Sequence, residues 1–148
     1  MDPGRGARYA AAKDLSDGPR VRLRAEIPML DQTYANCVAA CHACITACES
    51  WLDRAARAEQ DHVAEKSHCT DLCQSSIRLC RLVIEELKLR SAFSIQVCAL
   101  GTVICRACAE VCTEEPEASA CAKACRRAAE ECHAIAAMAK ASMPLPAR

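Results

Sequence analysis

Steps of three, four and seven separate the cysteines of this chain within each of four sets. Cys37, Cys41, Cys44 and Cys48 form the first, and Cys69, Cys73 and Cys80 the second. Cys98, Cys105, Cys108 and Cys112 form the third, and Cys121, Cys125 and Cys132 the fourth. Those steps hold side chains on one face of an α-helix. In an ordinary bundle such positions carry leucine; here they carry thiols. The spacing predicts four helices whose inward faces are lined with sulfur, so that the core is itself the functional site. No strand-like alternation interrupts the pattern.

Residues 1–26 have weak periodicity and read as an N-terminal extension, with a short helix near Tyr9–Leu15. Pro28 suits a first helical turn, and the first helix runs to about Ala58. Asp61 is the expected N-cap of the second helix, which continues to about Leu89. The third is predicted from near Ser91 to near Thr113. Glu114, Glu115, Pro116 and Glu117 make a short break with acids at a helix start. The fourth runs to about Ala141, and Pro144 and Pro146 end it. The expected fold is all-α: an antiparallel up-down-up-down four-helix bundle with a cysteine-lined core. It spans residues 27–141, after the extension at 1–26 and before a tail at 142–148.

An internal repeat supports this organisation. Cys69, Cys73 and Cys80 share their spacing with Cys121, Cys125 and Cys132. Cys41, Cys44 and Cys48 match Cys105, Cys108 and Cys112, with Gly101 standing where Cys37 would be. Stacking the helices antiparallel predicts layers. Cys48, Cys69, Cys112 and Cys121 form one, and Cys44, Cys73, Cys108 and Cys125 the next. Cys41 and Cys105 meet Ser76 and Ala128. Cys37, Cys80 and Cys132 meet Gly101, with Cys98 one turn beyond. An apolar plug of Tyr34, Val83, Ile84, Leu87, Ile95, Ile135 and Met138 closes one end. His62, Glu65, Glu114 and Glu117 make the other end wetter, and that end is the expected mouth.

Composition narrows the chemistry. The chain has 148 residues, enough for one domain with a real core, and aromatics supply only 3% of it. Nineteen basic residues balance nineteen acidic ones, which leaves no electrostatic footprint for nucleic acid or an anionic membrane. No long apolar run suggests a membrane span, and the N-terminal stretch has charge without an apolar region. A reducing cytoplasm is the expected location, and there clustered cysteines read as metal ligands or redox groups before disulfides. Residues four apart on a helix hold their Cβ atoms roughly 5–6 Å apart, whereas a disulfide wants about 3.8 Å. A metal ion between the sulfurs fills that gap.

Thiolates select Cu(I), Zn(II) or iron–sulfur clusters. The ferredoxin cysteine run is absent. Zinc in thiolate tetrahedra would leave a strongly anionic core, costly in a low dielectric. One Cu(I) per thiolate leaves no net charge, and Cu(I) accepts two or three sulfurs that bridge between ions. A continuous file of thiols thus suits many monovalent ions, on the order of one per cysteine. A zinc- or cadmium-buffering thiolate protein is the rival reading. A thiol redox enzyme would need exposed cysteines of low pKa beside basic residues. Arg106 and Arg126 flank core cysteines but should point outward, so catalysis is not expected. A copper-sensing regulator would need a DNA-binding element, which the N-terminal stretch supports poorly.

The motifs CVAACHACITAC on the first helix and CRACAEVC on the third resemble the bacterial cytosolic copper storage proteins. The resemblance covers roughly residues 28–140. It implies a homotetramer, Cu(I) bound along the bundle interior by all fourteen cysteines, and loading through one end. A copper chaperone or recipient protein is then a further partner. Ser76, Gly101 and Ala128 depart from a fully lined tube. His62, seven residues before Cys69, points inward as an expected ligand at the mouth, where Asp61 and Glu65 could attract cations. His68 neighbours the rim, while His42 and His133 face outward or a subunit contact. Met138 could offer a thioether but fits the plug better. Ala35, Ala39, Ala43 and Ala47 give the first helix a small-residue face suited to close contact between subunits.

Overall fold

The structure, a computed structural model, describes residues 28–58 and 63–142. The expected short helix near Tyr9–Leu15, the cap Asp61 and the ligand His62 lie outside the described residues. Among the described residues four α-helices form: α1 (Pro28–Arg57), α2 (Val63–Leu89), α3 (Ser94–Thr113) and α4 (Ser119–Ser142). A short 3₁₀ turn, Pro116–Ala118, precedes α4. No strand occurs among the described residues. The packing below concerns Thr33 onward.

Each helix exists because its inward stripe is apolar at helical spacing. Sulfur contacts fix the directions. Cys48 lies against Cys121, Cys44 against Cys125 and Cys37 against Cys132, so α1 and α4 run antiparallel. Cys69 lies against Cys112, Cys73 against Cys108 and Cys80 against Cys105, so α2 and α3 do too. The α3–α4 hairpin turns on Pro116. Glu115, held extended (φ −99°, ψ 112°) ahead of that proline, stops α3 from continuing.

One boundary differs from expectation: α3 begins at Ser94, not near Ser91. The cause is the end of α2. Arg90 has φ 50°, the left-handed conformation. Its N–H donates to the Leu87 carbonyl (3.2 Å) and the Ser91 N–H donates to the Glu86 carbonyl (3.0 Å). These are the two bonds of a Schellman cap, with arginine where glycine is usual. The Arg90 guanidinium sits 5.3 Å over the Tyr34 ring, which helps to hold this conformation. Ser91 is used up in the turn: its hydroxyl accepts from the Phe93 N–H (3.0 Å), and its carbonyl accepts from the Ser94 hydroxyl (2.9 Å).

The core runs along the bundle axis. Val83, Ile84, Leu87 and Ile135 are buried at one end, as the expected plug requires; Tyr34, Ile95 and Met138 are partly buried. Gly101 is a close-approach glycine. A Cβ there would meet Cys132 Sγ and Val83 Cγ2, each at 3.3 Å. This tight fit explains why the repeat has no side chain at that place. Contrary to the reading of no long apolar run, α3 is long and apolar enough to cross a membrane by length and composition. Its four cysteines count as apolar, and all four face the interior.

Ser76 fills an inward position between Cys73 and Cys80, and its buried hydroxyl has no hydrogen-bond partner among the described residues. An unpaired buried hydroxyl costs about 1–3 kcal/mol. Ser76→Ala is therefore expected to stabilise the metal-free protein by about 1 kcal/mol in urea unfolding. A loss of stability would show that the hydroxyl is satisfied after all.

Candidate metal centre

All fourteen cysteines are free and buried. Each is between 0% and 1% exposed, so the thiols are the interior rather than a patch upon it. The shortest sulfur pair, Cys69–Cys112, is 2.9 Å apart, beyond the covalent S–S length of about 2.05 Å.

The expected flat layers are only partly present. Cys112 meets both Cys69 (2.9 Å) and Cys121 (3.8 Å), and Cys48 meets Cys121 (3.4 Å). Yet Cys48 also reaches Cys125 (3.6 Å), and Cys73 reaches both Cys112 (3.9 Å) and Cys121 (3.6 Å). Cys80 pairs with Cys105 (3.7 Å), not with the Cys37 layer. The reason is directional. Side chains lean toward the N-terminus of their own helix. Antiparallel neighbours therefore displace their sulfurs in opposite axial directions, and the layers interleave. Four groups have their sulfurs mutually within 4.8 Å: Cys48/Cys108/Cys121/Cys125, Cys73/Cys108/Cys112/Cys121, Cys37/Cys41/Cys132 and Cys44/Cys80/Cys105.

Neighbouring thiols shift one another in opposite senses. A thiolate is stabilised when neighbouring thiols donate to it, and the donors become harder to ionise. Cys112 and then Cys73 hold Cys69 down to about 4. Cys132 lowers Cys37, Cys105 lowers Cys44, and Cys112 lowers Cys108. In the opposite sense, Cys108 raises Cys48, Cys73, Cys112 and Cys125. Cys132 raises Cys41 and Cys98, and Cys44 raises Cys105. The interior is thus a shared proton store in which some sulfurs are ready for a cation and others must first lose a proton.

Around this core the histidines stay outside: His42, His68 and His133 are exposed. Glu114 and Glu117 are exposed beyond the Cys112–Cys121 end, as expected of a wetter rim. Sequence reasoning passed over Trp51. It is buried at 4% exposure, one turn beyond Cys48 on the same face, and shares a surface hollow with Arg54, Ala55, Ala58, Glu115 and Glu117. The signal was there: 37, 41, 44, 48 and 51 continue one inward stripe. Ala35, Ala39 and Ala43 are exposed and Ala47 partly so, which leaves that face outside the bundle.

A four-helix bundle whose interior is lined with thiols has the chemistry of a soft-metal-binding protein. Comparison with known proteins agrees. The copper storage protein family profile matches residues 30–137. An uncharacterized cysteine-rich protein of Bacillus subtilis (strain 168), YhjQ, is 31% identical over 110 residues, covering 73% of this chain and all of that protein. Among solved structures, the Cu(I)-bound copper storage protein BsCsp3 is 30% identical with a TM-score of 0.64, over 70% of this chain and 98% of that one. Apo-Csp3 from Bacillus subtilis, also 30% identical, gives 0.62 over 69% and 97%. A Nitrosospira multiformis protein, Nmul_A1745, is 28% identical and gives 0.67 over 73% and 98%. The chain belongs to the copper storage protein family. Family and thiol core together support copper binding and storage.

Proposed function

We propose that this protein is a cytoplasmic Cu(I) reservoir. The observation that carries the reading is the burial of fourteen free thiols in one core. All fourteen cysteines act as ligands: Cys37, Cys41, Cys44, Cys48, Cys69, Cys73, Cys80, Cys98, Cys105, Cys108, Cys112, Cys121, Cys125 and Cys132. His62 joins them at the mouth. Cu(I) is favoured because monovalent ions cancel thiolate charge one for one, and a dry core cannot carry a large net charge. The Cu(I)-bound state of BsCsp3, a related chain with the same fold, supports this choice. Storage rather than catalysis fits thiols that lie away from solvent.

Loading proceeds from the end that carries Cys69, Cys112 and Cys121. Cu(I) displaces thiol protons there and moves inward by thiolate exchange. The exposed acids Glu114 and Glu117 support cation attraction at that rim, and the plug of Val83, Leu87 and Ile135 supports closure of the opposite end. Four copies associate as a homotetramer. The exposed apolar side chains of Phe93, just ahead of α3, and of Leu100 and Val103 on it support burial between copies. A copper chaperone or recipient protein completes the cycle.

The test is an anaerobic Cu(I) titration of the reduced protein against a competing chelator, with helicity followed by circular dichroism. Saturation at on the order of one ion per cysteine, with little change in helicity, is the expected result. Saturation at one or two ions, or large refolding on loading, would contradict storage. Light scattering of the same sample reads the number of copies.

A further inference from the structure

We propose that Cys73, Cys108, Cys112 and Cys121 form a discrete tetrathiolate site for a single divalent d¹⁰ ion of the Zn²⁺ class. This goes beyond the cuprous file, because it singles out one geometry within it. Tetrahedral zinc with Zn–S of about 2.3 Å needs its four sulfurs about 3.8 Å apart along every edge. Five of the six edges have that length. Cys73 lies 3.7 Å from Cys108, 3.9 Å from Cys112 and 3.6 Å from Cys121. Cys112 lies 3.8 Å from both Cys108 and Cys121. The sixth edge, Cys108–Cys121, is within 4.8 Å. Four sulfurs from three helices thus stand at the corners of a tetrahedron before any ion arrives.

The stoichiometry of one follows from the overlap of sites. The second tetrad, Cys48/Cys108/Cys121/Cys125, shares Cys108 and Cys121 with the first. Both cannot be completed at once with separate ligands. Its Cys48–Cys121 edge, at 3.4 Å, falls short of the tetrahedral length of about 3.8 Å. The remaining groups, Cys37/Cys41/Cys132 and Cys44/Cys80/Cys105, offer only three sulfurs, and a closed structural zinc site wants four. Charge points the same way. Each bound thiol gives its proton to solvent, and four thiolates around one divalent ion leave a net charge of −2. A second such centre alongside would double the buried charge.

The probe is Co²⁺, titrated anaerobically into the reduced full-length protein, because its absorption reports tetrahedral sulfur coordination directly. The expected result is a tetrathiolate spectrum that saturates at one equivalent and is bleached by one equivalent of Zn²⁺. Cys73→Ser, which belongs to the first tetrad alone, abolishes the spectrum. Cys48→Ser, which belongs to the second alone, retains it. Circular dichroism of both variants confirms that the helices persist. Saturation at any other number, a spectrum without tetrahedral sulfur bands, or its survival in Cys73→Ser would overturn the proposal. Cu(I) capacity is measured on the same preparation, so a protein that stores Cu(I) but fails the Co²⁺ test sinks the divalent site alone.

Discussion

Raising the pH from about 7 to about 10 unfolds the copper-free protein and leaves the copper-loaded protein helical. Cys48, Cys73, Cys112 and Cys125 keep their protons because Cys108 stands beside them, and Cys105 does so beside Cys44. In the unfolded chain a thiol ionises near about 8.5. Above that pH the folded state binds more protons than the unfolded one. The contribution of these thiols is therefore complete below about 8.5 and lost as the pH rises. Each loses up to about 1.4 kcal/mol per pH unit. Over the roughly 1.5 units from there to about pH 10 the five together lose on the order of 10 kcal/mol, comparable to the roughly 5–15 kcal/mol that holds a domain. Cys69 has the opposite sign. Its thiol is held at about 4 by Cys112 and then Cys73. Its contribution is complete above about 8.5 and is lost as the pH falls toward that lower value. Copper removes the alkaline weakness, since a sulfur bound to Cu(I) has no proton left to surrender. Circular dichroism at the two pH values reads the difference. Identical melting of the two forms at high pH would count against a proton-rich apo core.

Trp51→Ala has the second large effect. The indole is buried at 4% exposure, one turn beyond Cys48. Removing it costs about 3–5 kcal/mol of apo stability, the usual loss for a large aromatic cut back to alanine. Uptake of the first Cu(I) should also quicken roughly tenfold, which needs a barrier lower by only about 1.4 kcal/mol. Trp51→Phe keeps a ring in place and should load at the native rate. Stopped-flow transfer from a coloured chelator follows the uptake. If the alanine variant loads no faster, ions enter elsewhere and the proposed loading route falls.

The helical period of the cysteines made the bundle legible, because one inward residue every three or four positions leaves little choice of secondary structure. The ends of the helices were less legible. Nothing local in Leu89–Arg90–Ser91 announces a left-handed arginine; that conformation is held partly by Tyr34, far away in sequence. The inward set was read correctly for every cysteine, since burial follows from period alone. Which sulfurs touch was read less well. Spacing places Cys80 in the Cys37 layer, but it meets Cys105. Sequence spacing counts Cα positions along an axis, whereas contacts depend on where side chains lean. Trp51 escapes the cysteine pattern because a lone aromatic does not share the chemistry of the stripe it continues.

The interleaving of sulfurs from opposed helices has a consequence for traffic. In a stack of separate plates, a cation would have to break free of one plate before it reached the next. Here Cys121 touches Cys48, of its own expected layer, and Cys73, of the next. A travelling ion can grip the forward sulfur while it still holds the rear one. On the proposed loading route, such hand-over from sulfur to sulfur would spare the ion a fully unliganded step.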